Sequence, residues 1–453
     1  MIRRWVALTL GRAQPADHGE RRNVRLLQSG IAALAGRGVA VLVGIASVPL
    51  TVGYLGTERY GIWIVISTLL GWLAIADLGL GNGLVNALAA CYGEEKPELA
   101  QRYVATAMCL MGSIALMIGI ACILAWPYAD WTEIINVQSD QARAETPVTV
   151  ALALTIFLVG FPLTLAPRIL DAYQEGAIGI YWSAAGNVAS LGALIIVTHL
   201  RAGLPWLVAA VAGLQVIVNL GCAVWLFWRH KPWLAPHPGL FDRWLARELL
   251  GKGGMFFVVQ IVALINLNTD AIIIARYLGP DHVTPYSIAS RLFSYTTIFQ
   301  TLLFPALWSA YAEAISRRDM AWVRRTLWKN LSLGGLSTLA AALVLVLFGE
   351  TIIRVWAGPA AVPPQMLLMW LAGWSVIYAC MSVSACVLNA AGQIRGQMMY
   401  GFVTGLVNIG LSIVLVRSHG ITGVVMATAI SYFIFAMVPQ MLETWLFLRR
   451  CGS

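Results

Sequence analysis

The sequence predicts an all-α polytopic membrane protein with twelve transmembrane helices in two pseudo-symmetric six-helix bundles. Three observations predict it. Of 453 residues, 59% are hydrophobic and only 11% charged, where a soluble chain carries about 25% charge. Apolar stretches of about 20 residues, the length of a membrane-spanning helix, recur along the whole chain. These runs are continuous, as at Ile261 to Leu267 and Leu339 to Phe348, whereas barrel strands would alternate at every second residue. Backbone inside lipid has to satisfy its own hydrogen bonds, so continuous apolar runs become helices. No long polar segment remains to form a separate soluble domain.

The elements follow in order. A basic segment, residues 1–26, comes first. Its apolar run Trp5 to Leu10 is too short for the apolar region of a secretory signal, and the polar stretch Arg12 to Arg25 suits the cytoplasmic membrane surface. Spans are expected at 27–52, 60–82, 103–127, 148–168, 178–198 and 205–228, forming a first bundle over 27–229. A cytoplasmic linker, 230–252, is basic and holds Pro232, Pro236 and Pro238. Spans at 253–278, 286–310, 329–349, 366–390, 397–416 and 421–446 form a second bundle over 253–453, which ends in a short cytoplasmic tail.

Charge orients these spans. With the N-terminus inside, 22 Lys and Arg residues fall in inside segments and six in outside loops; Arg37 and Arg291 fall within spans. That bias places both termini in the cytoplasm of a bacterial inner membrane. It also accounts for the net charge of +9 without nucleic acid as a partner. An internal repeat divides the chain. Tyr54-Leu55-Gly56 closes the first span and Tyr277-Leu278-Gly279 closes the seventh. Each is followed by an acidic turn and a further tyrosine, Tyr60 and Tyr286. Two halves of six spans with the same orientation imply parallel repeats about an axis along the membrane normal.

Polar groups inside the bilayer are costly, so they mark candidate functional positions. Arg37 lies ten residues into the first span, about 15 Å along its axis, between Gly36 and Gly38. It is either a structural cation or a substrate-contacting one, and in both cases faces a cavity or the bundle interior. Asp270 in the seventh span, with Asn266 one turn before it and Gln260 and Asn268 nearby, is either the partner of Arg37 or a proton- or cation-binding carboxylate. Asp77 stands near the cytoplasmic end of the second span, before Gly79, Gly81 and Gly83, which suggest a break or close packing. Arg291, near the outer end of the eighth span, either snorkels or draws an anion into an outward cavity. Gln215, Asn219 and Asn408 are expected to bond between helices. Trp126, Trp131, Trp206, Trp228 and Trp356 fall near span ends as interface anchors.

Enzyme chemistry finds no support. There is no phosphate-binding loop, no HExxH and no CxxC; the seven cysteines are scattered. The outside loops are too short to hold acid–base groups, which argues against a membrane-embedded glycan polymerase or ligase. No catalytic residue, metal site or cofactor is expected.

The stretches Tyr54-Leu55-Gly56, Tyr60-Gly61-Ile62-Trp63, Asp77-Leu78-Gly79-Leu80-Gly81-Asn82-Gly83-Leu84, Asp270 to Arg291, and Ile353-Arg354-Val355-Trp356-Ala357-Gly358-Pro359 resemble the multidrug/oligosaccharidyl-lipid/polysaccharide exporter superfamily, and within it the O-antigen type of polysaccharide flippase. The resemblance implies a MATE-like pair of bundles around a central cavity that works by alternating access. It implies a polyprenyl-pyrophosphate-linked glycan as substrate, moved to the periplasmic leaflet for surface or exopolysaccharide assembly. A polysaccharide polymerase and glycosyltransferases are the implied neighbours, beside membrane lipids. Arg37 and Arg291 are the positions that match the family's basic cavity residues. The drug/cation antiporter branch is the alternative: Asp270 speaks for it and Arg37 against it.

Overall fold

The computed structural model describes residues 18–251, 254, 257, 260, 269–393 and 395–450. No strand occurs among them. Eight segments are long and apolar enough to cross a membrane: Leu34–Asp77, Pro97–Tyr128, Asp140–Ala172, Gly176–Leu200, Leu204–His230, Met320–Ala357, Gln365–Ala390 and Arg395–Arg450. The chain is therefore a multi-pass helical membrane protein.

The two longest of these segments are each broken by a glycine. At 1.5 Å per residue, the 44 residues of Leu34–Asp77 exceed the roughly 30 Å of hydrocarbon about twofold, and the 56 of Arg395–Arg450 nearly threefold. Each contains a glycine outside the helical region, Gly56 (φ 75°, ψ 176°) and Gly420 (φ 59°, ψ −142°). Gly56 is the glycine of the first Tyr-Leu-Gly triplet. Gly279, in the second, has nearly the same backbone (φ 104°, ψ 158°). The repeat read in the sequence is thus a repeat of backbone conformation that disfavours any side chain. The expected seventh span is described as Asp270–Leu278 and the eighth as Val283–Ser294 with Ile298–Ser316.

The second span departs from expectation. It does not stop at residue 82. A short 3₁₀ turn, Ala74–Asp77, ends it; Leu78 and Gly79 both take left-handed φ; helix then resumes from Leu80 to Gly93. The fourth span likewise restarts, as Leu165–Ala172 after Asp140–Leu163.

The chain divides into two compact units. One comprises the described residues to Leu50, with Leu73–Asp130 and Ala144–Gln260; the other Thr51–Trp72, Trp131–Arg143 and the described residues of 261–453. The first unit packs Leu80, Leu84 and Leu88 against Val104, Met111, Ile169 and Leu170. Leu234, Leu245 and Leu249 join the same core, so the proline-containing linker folds onto this unit. Asp242 pairs with Arg102, and Tyr103 donates to Glu248 (2.8 Å). In the second unit, Tyr311, Val323, Leu327 and Val387 pack together. Lipid does not drive apolar surfaces together, so contact depends on close fit. Ile123 and Leu347, each 73% exposed, are on the lipid-facing surface.

Candidate functional site

Asp270 opens the helix Asp270–Leu278. One carboxylate oxygen, Oδ2, accepts from the Tyr286 hydroxyl (2.9 Å) and faces the Thr428 hydroxyl (3.3 Å). That hydroxyl also faces the Val424 carbonyl (3.1 Å) and the side-chain oxygen of Asn408 (3.4 Å). Asn408 Oδ1 in turn accepts from Ser412 (3.0 Å). The geometry follows from sequence spacing. Asn408 and Ser412, and Val424 and Thr428, are four residues apart and share a helix face. The turn at Gly420 sets one leg against the other.

Counting protons shows what this cluster lacks. A threonine hydroxyl carries one proton, yet three oxygen acceptors surround Thr428. Among the described residues no cation pairs with Asp270. The result is an oxygen-rich pocket in which the single Thr428 proton faces three acceptors. It opens on a cavity of about 440 Å³ lined by Asp270, Ser290, Ser294, Trp374, Tyr378 and Thr428, among others. Trp374 meets Tyr432 edge to face at 4.4 Å and lies 5.7 Å from Tyr378. Sequence reasoning singled out Asp270, read Asn408 as a hydrogen bond between helices and Tyr286 only as part of the repeat, and missed Thr428 and the aromatic wall. The only signal was small polar residues at helical spacing, which are common in membrane helices.

Arg291 belongs to the same unit. It lies in the helix Val283–Ser294, is half-buried, and donates to the hydroxyl of Tyr60. Next to Tyr60, Gly61 lies so close to Pro280 that a Cβ there would overlap the Pro280 carbonyl. Thr284 donates to the Thr57 carbonyl close by. The Tyr60-Gly61 and Gly279-Pro280 motifs thus pack on each other. At the turn itself, Glu58 accepts from the Gln138 and Ser139 amides (2.7 and 3.0 Å). Burial pushes Glu58 up, but these donors outweigh it, and its carboxyl lies below the ordinary value.

Asp77 belongs to the other unit. Its carboxylate accepts the Gly79 amide (2.9 Å) and a hydrogen bond from Gln260. Arg168 lies beside it and reaches Asn82 Oδ1 at 3.4 Å. Gly81 faces both Asp77 and Arg168, with 3.5 and 3.7 Å to an added Cβ. The glycines of this motif therefore make both a break and a close contact. Arg37 is also in this unit, exposed on the first helix. Gly36 beside it is not open space, because a Cβ there would meet Ile180 (2.5 Å); Gly38 is open. Gln215 bonds Asn219 (3.5 Å) one turn along its own helix, not across helices as expected. Asn266 and Asn268 lie outside the described residues.

Comparison with known proteins fits this architecture. An inward-facing multidrug resistance MATE transporter shares the fold, with TM-score 0.78 over 91% of this chain and 95% of that one at 15% identity. A Pyrococcus furiosus transporter of the multidrug/oligosaccharidyl-lipid/polysaccharide superfamily, whose binding pocket is described as having reversed polarity, gives 0.64 over 99% and 98% at 16% identity. In sequence, a Yersinia pseudotuberculosis protein named for O-antigen export is 21% identical over 87% of this chain and 90% of its own. A Salmonella typhimurium protein named as an O-antigen transporter is 23% identical over 75% and 77%. Residues 26–311 match the family described as polysaccharide biosynthesis protein. With the family match spanning more than half the sequence, the chain belongs to the polysaccharide biosynthesis protein family.

Proposed function

We propose that this protein flips a polyprenyl-pyrophosphate-linked oligosaccharide from the cytoplasmic to the periplasmic leaflet of a bacterial inner membrane. It does so by alternating access over twelve crossings, with both termini cytoplasmic, and makes or breaks no covalent bond. Family membership supports the substrate class. The observation that carries the mechanism is the single Thr428 proton facing the Asp270 carboxylate, Asn408 Oδ1 and the Val424 carbonyl. A carboxylate among neutral oxygens inside a membrane is costly unless it takes up a proton or a hard cation. Uptake at Asp270 couples an ion gradient to the step that resets the transporter. Arg37 and Arg291 supply positive charge for the pyrophosphate, which cannot cross hydrocarbon as a bare anion. Asp77 shapes the break in the second span.

The aromatic wall of the Asp270 cavity favours one second reading. A carboxylate beside Trp374 and Tyr378 also suits an organic cation, as in drug/cation antiport. The test is a complementation assay for surface polysaccharide, with membrane levels of the protein measured in parallel. Arg37→Ala is expected to abolish polysaccharide export at normal protein levels. Normal polysaccharide in that strain removes Arg37 from the substrate path. A wild-type chain that restores no polysaccharide but lowers cationic dye accumulation establishes the antiport reading instead.

A further inference from the structure

A second cavity, of about 460 Å³, lies in the same unit and shares no lining residue with the Asp270 cavity. It is lined by Gln393, Tyr400, Leu442, Glu443, Leu446 and Arg450, among others. Its two chemistries are separate. One side is polar: Tyr400 donates to the Glu443 carboxylate, while the other carboxylate oxygen, Oε2, is buried without a hydrogen-bond partner. Arg450 stands on the cavity wall. The other side is apolar and open to the surroundings, with Leu442 55% and Leu446 44% exposed.

The depth of the site is marked by its neighbours. Arg449 stacks on the Trp445 ring at 3.7 Å, an aromatic and basic pair of the kind that sits at headgroup level. That pair and the exposed leucines suit a site with headgroups on its polar side and acyl chains on its apolar side. Glu443 also rests on the start of the helix Arg395–Tyr432, where a Cβ on Gly396 would overlap its carboxylate. A carboxylate there is favoured by the helix dipole, but that does not give the buried oxygen a donor.

We propose that this cavity binds a phospholipid with a primary ammonium headgroup, of the phosphatidylethanolamine class. The ammonium donates to the Glu443 carboxylate on the cavity wall, the phosphodiester faces Arg450, and an acyl chain lies along Leu442 and Leu446. An ammonium offers three donors, which is what a buried, half-satisfied carboxylate needs. A quaternary ammonium offers none, and an anionic lipid without an amine meets the carboxylate with like charge.

The test is native mass spectrometry of the full chain, purified in detergent and titrated with lipids of identical acyl chains. The wild type is expected to hold phosphatidylethanolamine about tenfold more tightly than phosphatidylcholine, the scale of a hydrogen bond to a charged group. The mono- and dimethylated headgroups fall between. Glu443→Gln is expected to bring phosphatidylethanolamine down to the phosphatidylcholine level. Leu446→Trp, which fills the apolar side, weakens all lipids together. Soluble glycerophosphoethanolamine at equal concentration displaces nothing. Equal retention across the methylation series on wild type overturns the proposal, and needs no variant to fold. So does a preference that survives Glu443→Gln in a monodisperse protein. Displacement by the soluble headgroup assigns the cavity to a water-borne amine, not to lipid.

Discussion

The two units each carry an aspartate within an apolar helical segment, and the two are solvated in opposite ways. Asp77 sits among donors: the Gly79 amide, Gln260 and the nearby Arg168 guanidinium. Asp270 sits among hydroxyls and carbonyls: Asn408 and the Val424 carbonyl compete with it for the Thr428 proton, and among the described residues the Tyr286 hydroxyl is the donor aimed at it. The same side chain is therefore held by amides beside a guanidinium in one unit and by hydroxyls in the other. A carboxylate that the fold already neutralises gains little from an ion; one that the fold leaves short of donors gains much. On the proposed function, that difference, more than depth in the bilayer, is what separates Asp77 from Asp270.

Substitutions can break the comparison. The largest effect is expected at the Asp270 cluster: Asp270→Asn and Thr428→Val should each reduce ion-coupled glycan flipping, by about 100-fold for Asp270→Asn, the upper range of a coupling between two sites. Flipping assays in proteoliposomes measure this. An equal loss in Asp77→Asn, at equal stability, would erase the distinction. Next comes Gly61→Ala. Its methyl group overlaps the Pro280 carbonyl, and overpacking of this kind costs about 1–3 kcal/mol. A lowered thermal midpoint in detergent is the expected result; an unchanged midpoint would show that the two motifs separate without penalty.

Asp77→Asn should act on stability alone. Losing a charge-assisted hydrogen bond costs about 1–2 kcal/mol, so the midpoint falls while the ion dependence of flipping stays. A changed ion dependence would make Asp77 a second coupling group. The smallest effect is expected at Glu58, an exposed-side anchor outside the spans. Its carboxyl is depressed below the ordinary 4.5, so its contribution is present above about that pH and is lost as pH falls through the lower folded value. Hydrogen exchange at the Gln138 and Ser139 amides should therefore quicken, relative to exposed amides, as the pH drops below about 4.5. Glu58→Gln should remove that step, with a stability change within about 1 kcal/mol.

Much of the fold was legible because lipid imposes a simple rule: continuous apolar runs become helices. The breaks were legible where glycine marked them, at Gly56 and Gly279. The bend at Leu78 was only hinted at by the glycines around it, because a leucine at positive φ has no sequence signature. The site was half legible. Asp270 announces itself as a charge in an apolar run. Thr428 and Ser412 do not, since such residues usually bond back to their own helix, as Thr428 also does to Val424. Their meeting at Asn408, with Thr428 also facing Asp270, depends on how one leg of a broken helix is set against the other. Trp374 and Tyr378 were hidden for a similar reason: aromatic residues in membrane helices are ordinary packing until a cavity is shown beside them.

One measurement tests the central claim most directly. Purified wild-type and Asp270→Asn proteins are placed in proteoliposomes with a fluorescent lipid-linked glycan, and flipping is followed with and without a sodium gradient and a pH gradient. The account predicts that one of the two gradients accelerates flipping by the wild type and that neither does so for Asp270→Asn. Gradient-driven flipping that persists undiminished in Asp270→Asn would contradict it.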